Sequence, residues 1–182
     1  MKRLMVLVVL FSAVLMLASV SFAGIGPIEI VPVDVKPQSC PNPLNLRSKG
    51  VLPVAILGTE DFDVTMIDPA SIRLVFTNGL AVVPPVASPL RWSYEDVATP
   101  VDVTNGINGT CPVHECTEEG PDGFMDLTLK FNKQQILGPI GGPLGVDASI
   151  CLSLLGTLLD GTPISGYDVV VIPGSQNGFP VD

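Results

Sequence analysis

Carboxylates are concentrated in one stretch of the chain that contains no basic residue. Between Trp92 and Leu129 there is no Lys or Arg, and the same span holds eight acidic side chains: Glu95, Asp96, Asp102, Glu115, Glu118, Glu119, Asp122 and Asp126. Carboxylates gathered without cations repel one another unless solvent or a bound cation relieves the repulsion. A hard divalent cation such as Ca²⁺ takes about six to eight oxygen ligands, often from a tight acidic loop containing Gly. The stretch therefore has two interpretations, a calcium site or a solvated acidic turn.

The segment from Asp122 to Asp126 has half of the pattern that a calcium loop requires. It contains an acid, a Gly directly after it, and a second acid four residues further on. The other half is missing, because the positions two and four residues before Asp122 are Gly120 and Glu118.

Four cysteines indicate two disulfides if the chain is exported to an oxidising compartment. Three pairings are possible. The short separation favours Cys111–Cys116, and the remaining pair, Cys40–Cys151, would then close a long loop. His114 lies between Cys111 and Cys116, so this segment also offers zinc ligands. Zinc needs four ligands, however, and the sequence has no second ligand pair, so we expect a disulfide here.

The N-terminal residues have the features of a secretory signal. Residues 1–3 are basic, residues 4–20 are apolar, and Ala23 follows Ser21 with the spacing of a cleavage site. We expect removal of residues 1–23, a secreted, cell-surface or periplasmic location, and one domain over residues 24–182. That domain keeps seven Lys and Arg and all eighteen Asp and Glu, a net charge of −11. A negative charge of this size disfavours binding to nucleic acid. No second apolar run is long enough to span a membrane, so we do not expect the domain to insert into one.

Short strands joined by turns dominate the rest of the sequence. Gly and Pro are abundant, with eighteen of each. Leu127, Leu129 and Phe131 alternate with polar residues, which predicts a strand with one wet face, whereas the apolar run 51–57 predicts a strand buried on both faces. Other candidate strands are 28–35, 72–76, 91–94, 150–155 and 167–172. About seven or eight strands predict an all-β, immunoglobulin-like two-sheet sandwich. Trp92 and Tyr94 are expected to pack into its core, and residues 97–121 form a long acidic loop.

Several segments, in this order, resemble a largely uncharacterised domain of exported prokaryotic proteins: KPQSCPNPLN from Lys36, GVLPVAIL from Gly50, DFD from Asp61, IDP from Ile67, YEDV from Tyr94, DGFMDL from Asp122 and LDGTPI from Leu159. Members of that family often carry a compact EDVDGDGxxDL loop similar to dockerin and EF-hand calcium loops. The resemblance implies that Glu95 and Asp96 are the opening acids of this loop, and that Asp122 and Asp126 are the closing ones. Here an insertion, residues 97–121, separates the two halves. Calcium binding then requires that the insertion folds outward and returns Asp96 to the side of Asp122.

The functional classes follow from what the sequence contains and lacks. No Gly-x-Ser-x-Gly motif is present and His114 is the only histidine, so we do not expect an enzyme. The leading hypothesis is a secreted, disulfide-stapled structural or binding module that calcium stabilises. The alternative is a module that binds an extracellular protein or polysaccharide through the 97–121 loop. A hydrolase that uses two carboxylates is a weaker alternative.

Overall fold

The computed structural model describes residues 26–45, 48–78, 81–101, 116–137 and 149–173. The predicted signal peptide and the middle of the predicted insertion lie outside the described residues. Within the described ranges, no helix has both the length and the apolar character needed to cross a membrane.

Nine strands in the described part of the chain form two sheets. They are β1 (Glu29–Ile30), β2 (Val33–Val35), β3 (Val51–Ile56), β4 (Arg73–Asn78), β5 (Ala81–Ala87), β6 (Pro89–Glu95), β7 (Asp126–Asn132), β8 (Ser149–Thr157) and β9 (Pro163–Val171). The first sheet has the order β1-β9-β8-β4-β5 and the second has the order β2-β3-β7-β6. A 3₁₀ turn (Val64–Met66) and one short helix, α1 (Lys133–Leu137), complete the described elements. The predicted all-β two-sheet sandwich is confirmed.

The main core lies between the two sheets and follows from the alternation in β7. Leu127, Leu129 and Phe131 are fully buried and belong to the main cluster. They pair across the strands with Ile56, Val54 and Leu52 of β3, which are buried in the same cluster. On the opposite face of the second sheet, Ala55 and Leu57 form a separate cluster with Ala98. The run is therefore buried on both faces from Val54 to Leu57, whereas Val51, at its start, is exposed, so the predicted burial on both faces holds only for the second half of the run.

Two short connections move the chain from one sheet to the other. Residues 28–35, predicted as one strand, form β1 in the first sheet and β2 in the second, with Val31 and Pro32 between them. Proline has no N–H to donate, which favours an interruption of the ladder at Pro32. Only Ser88 separates β5 from β6, and these strands also belong to different sheets.

The disulfide pairing predicted from the sequence is wrong. Cys40 is bonded to Cys116, 76 residues away. Cys151 is also disulfide-bonded, so its partner is neither of these two. Cys111 lies outside the described residues. Sequence proximity favoured Cys111–Cys116, but the fold places Cys116 beside the turn that follows β2. The predicted pairs Cys111–Cys116 and Cys40–Cys151 are both excluded by the Cys40–Cys116 bond.

Candidate functional site

The outer face of the second sheet, which points away from the main core, carries polar side chains in its central rows. One row crosses all four strands and consists of Asp34, Ala55, Thr128 and Ser93. The Thr128 and Ser93 hydroxyl oxygens are 2.8 Å apart and share a hydrogen bond. Asp34 and Thr128 are both buried, so another part of the chain covers this face.

The cover is the insertion stem, which we define as residues 97–101 and 116–121, the two described ends of the predicted insertion. Its two legs are tied by a hydrogen bond from Thr99 Oγ1 to the Gly120 carbonyl, at 2.8 Å. Gln38 Nε2 donates to the Val97 carbonyl at 3.0 Å, and the Cys40–Cys116 disulfide fixes the second leg. The insertion therefore leaves and returns at one place on the sheet.

At the foot of the stem, the fold returns Asp96 to the side of Asp122. The backbone N–H groups of Asp122 and Gly123 donate to the two oxygens of Asp96, at 3.1 and 2.8 Å. Gly123 has a φ of 99°, a left-handed conformation in which a side chain is strained. The Asp122 carboxylate accepts from the Phe124 N–H at 3.0 Å. The resemblance made a return of Asp96 to Asp122 a requirement for calcium binding, and the two residues do meet although the insertion separates them.

Asp126, a predicted metal ligand, is instead a fully buried acceptor of backbone hydrogen bonds. Its Oδ1 accepts from Gly58 N at 2.9 Å, and its Oδ2 accepts from Val97 N and Ala98 N at 2.8 and 3.2 Å. The pKa of the Asp126 carboxyl is raised overall, and burial is the largest cause. The three hydrogen bonds oppose this rise, and the charge of Asp96 adds to it. A side chain at Gly58 would clash with the Met125 carbonyl, so this close approach requires glycine.

The four predicted ligands do not form the calcium cage that the sequence suggested. Glu95 accepts a hydrogen bond from the Ser93 hydroxyl, and Asp126 has both oxygens bonded to backbone amides. Asp96 likewise has both oxygens bonded to backbone amides. Of these three aspartates only Asp122 has an oxygen without such a bond in the described part of the chain, which leaves fewer carboxylates than a protein calcium site normally uses. Within the described residues, no group of three or more His, Cys, Asp or Glu side chains is placed to hold a metal ion. Calcium binding at this loop stays a prediction of the sequence.

A second group of carboxylates, which the sequence did not single out, lies at the edge of β2 beneath the stem. Asp34 and Asp168 are 6% and 4% exposed. They line a small cavity of about 10 Å³ together with Thr99, Thr117 and apolar neighbours, roughly the room that one water molecule needs. Burial raises the pKa of Asp34 to about 6, and the charge of Asp126 adds to this rise. Burial raises the pKa of Asp168 to about 7, with a smaller contribution from the charge of Asp34, although backbone hydrogen bonds from Val35 and Val169 lower it. A sugar ring does not fit in this cavity.

Trp92 and Tyr94 are two exposed aromatic side chains on the same face of β6. They pair with Leu129 and Leu127, so they occupy the inner face of the second sheet, as their alternation predicts. However, β6 is the last strand of this sheet, and the two rings are 46% and 40% exposed. The expectation that both pack into the core is therefore wrong. Local alternation identifies the face of the sheet, whereas exposure depends on the position of the strand within the sheet.

Comparison of the chain with protein families, with curated proteins and with solved structures gives no match. The resemblance to the exported prokaryotic domain stays a prediction of the sequence.

Proposed function

We propose that this protein is an exported, disulfide-stapled β-sandwich that binds a neutral polysaccharide through Trp92 and Tyr94. The observation that carries the proposal is the half-exposed aromatic pair on the edge strand of a rigid sheet. The disulfide between Cys40 and Cys116 supports export, because such bonds persist in oxidising compartments. The contact surface is then the edge of the second sheet and not the 97–121 loop.

The two rings are suited to stack on sugar rings. Side chains two residues apart on a strand point to the same side and are about 6.5–7 Å apart along it. The faces of aromatic rings carry negative charge density, and they attract the weakly positive C–H groups that cover one face of many sugars. Because β6 is hydrogen-bonded to β7 over most of its length, both rings are held on a fixed backbone.

The edge of β6 is poorly suited to the main alternative, a peptide that adds as a further strand. Natural edge strands resist such pairing by means of proline, bulges and charged side chains. β6 has all three: it begins at Pro89, its register shifts between Pro89 and Arg91, and it ends at Glu95. The aromatic side chains, and not the backbone edge, are therefore the better contact surface.

The charge of the protein limits the class of polysaccharide. The domain without residues 1–23 has a net charge of −11, and a charge of this size disfavours association with anionic polymers at moderate salt. A neutral polymer satisfies this condition.

Retention on insoluble glycans tests the proposal. We expect the full domain to bind at least one of cellulose, chitin and mannan. Trp92→Ala and Tyr94→Ala should each weaken that binding about tenfold or more, because each removes one stacking surface worth about 1.4 kcal/mol or more. Leu159→Ala is the matched control, since Leu159 is an exposed apolar side chain on the turn between β8 and β9. Equal retention of all three variants, or no retention of the wild type, contradicts the proposal.

A further inference from the structure

Two buried acceptor atoms, one in the cavity at the edge of β2 and one beside it, have no donor within the described residues. Asp34 Oδ2 has no hydrogen-bond partner within the described residues, although the side chain is almost completely buried. Asn42 Oδ1 is buried and unpartnered in the same way. Asn42 uses its Nδ2 to donate to Asp168 Oδ2 at 2.9 Å, which fixes the orientation of the amide. Unpartnered buried oxygens are costly, so this site has a deficit of positive charge or of hydrogen-bond donors.

The two carboxyl groups have very different surroundings. Asp168 accepts backbone hydrogen bonds from Val35 N and Val169 N, both at 2.6 Å, in addition to the one from Asn42. These donors stabilise an ionised carboxylate. Asp34 lines the same cavity without a comparable donor. An ionised Asp34 would therefore be a buried charge with no compensation.

No side chain of the cavity wall can supply that compensation. The residues that line the cavity within the described part of the chain include no Lys, Arg or His. The nearest base in the sequence is Lys36, which directly follows β2, and its ammonium group donates to the Pro43 carbonyl at 3.1 Å. Within the described part of the chain no cationic side chain neutralises Asp34, which leaves a proton from solvent as the candidate.

We propose that Asp34 and Asp168 form a proton-binding pair, and that a proton held in the cavity they share keeps the insertion stem on the second sheet. The shared proton supplies the missing donor between the two carboxyl groups, either directly or through one water molecule in the cavity. Loss of the proton leaves two carboxylates facing each other beneath Thr99 and Thr117, and their repulsion loosens the stem. The site is separate from the aromatic pair, so this proposal does not depend on polysaccharide binding.

The direction of the pH effect follows from the surrounding charges. β2 contributes Asp34, β9 contributes Asp168 and β7 contributes Asp126, which raises the pKa of Asp34 through its charge; Asp96 in turn acts on Asp126. With pKa values raised to about 6 and about 7, the folded protein binds protons that the unfolded chain releases near pH 4. This contribution to stability is complete at low pH and is lost as the pH rises through about 6 to 7.

Thermal unfolding between pH 5 and pH 8 tests the proposal with three proteins. The wild type should lose on the order of 5–10 °C in Tm over this range, the effect of about one bound proton. Asp34→Asn imitates the neutral acid, so its Tm should fall by less than half as much. Asp122→Asn, a change at an exposed carboxylate, should retain the wild-type slope. At pH 8, hydrogen exchange of peptides covering 97–101 and 116–121 should be slower in Asp34→Asn than in the wild type.

A titration of the wild type makes the test independent of how the variants fold. The carboxyl carbons of Asp34 and Asp168 should titrate near pH 6 and near pH 7 by NMR. Titration near pH 4, an unchanged slope in Asp34→Asn, or equal hydrogen exchange of the stem in both proteins would overturn the proposal. Calcium chloride provides the remaining arm: if it raises the Tm of the wild type at pH 8 but not that of Asp34→Asn, then the site binds a divalent cation and not a proton.

Discussion

Asp126 connects three segments that are distant in the sequence. Its carboxylate accepts hydrogen bonds from Gly58, which follows β3, and from Val97 and Ala98 at the start of the insertion stem. The sequence pattern Asp-Gly-x-x-Asp suggested a metal ligand at this position. A carboxylate at the start of a strand can either bind a metal ion or accept hydrogen bonds from backbone N–H groups. The sequence is the same in both cases, and only the positions of the surrounding amides distinguish the two roles.

The first prediction concerns this carboxylate. Asp126→Asn replaces one acceptor oxygen with an N–H₂ group, which leaves at least one buried backbone donor without a partner. We expect the free energy of unfolding to fall by about 2–3 kcal/mol, measured by urea denaturation at pH 7. Asp122→Asn is the control, and it should change stability by about 0.5 kcal/mol or less because Asp122 is exposed. Equal stability of the two variants would contradict this role for Asp126.

The insertion stem is the element that differs most from the sequence-based expectation. It is not a free loop, because Ala98 packs against Ala55 and Leu57 and the Cys40–Cys116 disulfide anchors its second leg. The bond joins the stem to the turn after β2. It therefore cross-links two segments that belong to the same face of the second sheet.

The disulfide gives a prediction at this scale. Replacing both Cys40 and Cys116 with Ser should lower the free energy of unfolding by about 3–5 kcal/mol, since the bond closes a loop of 76 residues. Peptide mapping of the unreduced protein should recover a fragment that links Cys40 to Cys116. It should also link Cys151 to Cys111, the remaining cysteine in the sequence. A fragment that links Cys111 to Cys116 would show that the pairing is different.

The sequence predicts strands better than it predicts their positions in the sheets. Alternation located β7, and the continuous apolar run located β3. The wet face predicted for β7 is wrong, because Asp126 and Thr128 on that face are buried beneath the insertion stem. β5 was missed because Pro84 and Pro85 lie within it, and prolines are usually excluded from strand interiors. The Cys40–Cys116 pairing and the exposure of Trp92 depend on contacts between distant segments. Periodicity within one segment contains no information about such contacts.

At the scale of the whole molecule, the two faces of the second sheet have different roles. The outer face lies beneath the insertion stem and contains the buried carboxylates Asp34 and Asp126. The inner face contributes to the main core and ends at the edge strand with Trp92 and Tyr94. Binding at the aromatic edge and protonation beneath the stem are therefore spatially separate. A variant such as Asp34→Asn should change the pH dependence of stability without changing retention on glycans.

Tryptophan fluorescence tests the central claim most directly, because Trp92 is the only tryptophan in the chain. The wild type is titrated with soluble oligosaccharides of the glucose, N-acetylglucosamine and mannose series. The account predicts that at least one series shifts the emission in a saturable manner, and that Tyr94→Ala weakens the interaction about tenfold or more. Leu159→Ala should behave as the wild type does. An emission spectrum that no series changes, or a shift that Tyr94→Ala leaves at full affinity, would contradict the assignment of Trp92 and Tyr94 as the polysaccharide-binding surface.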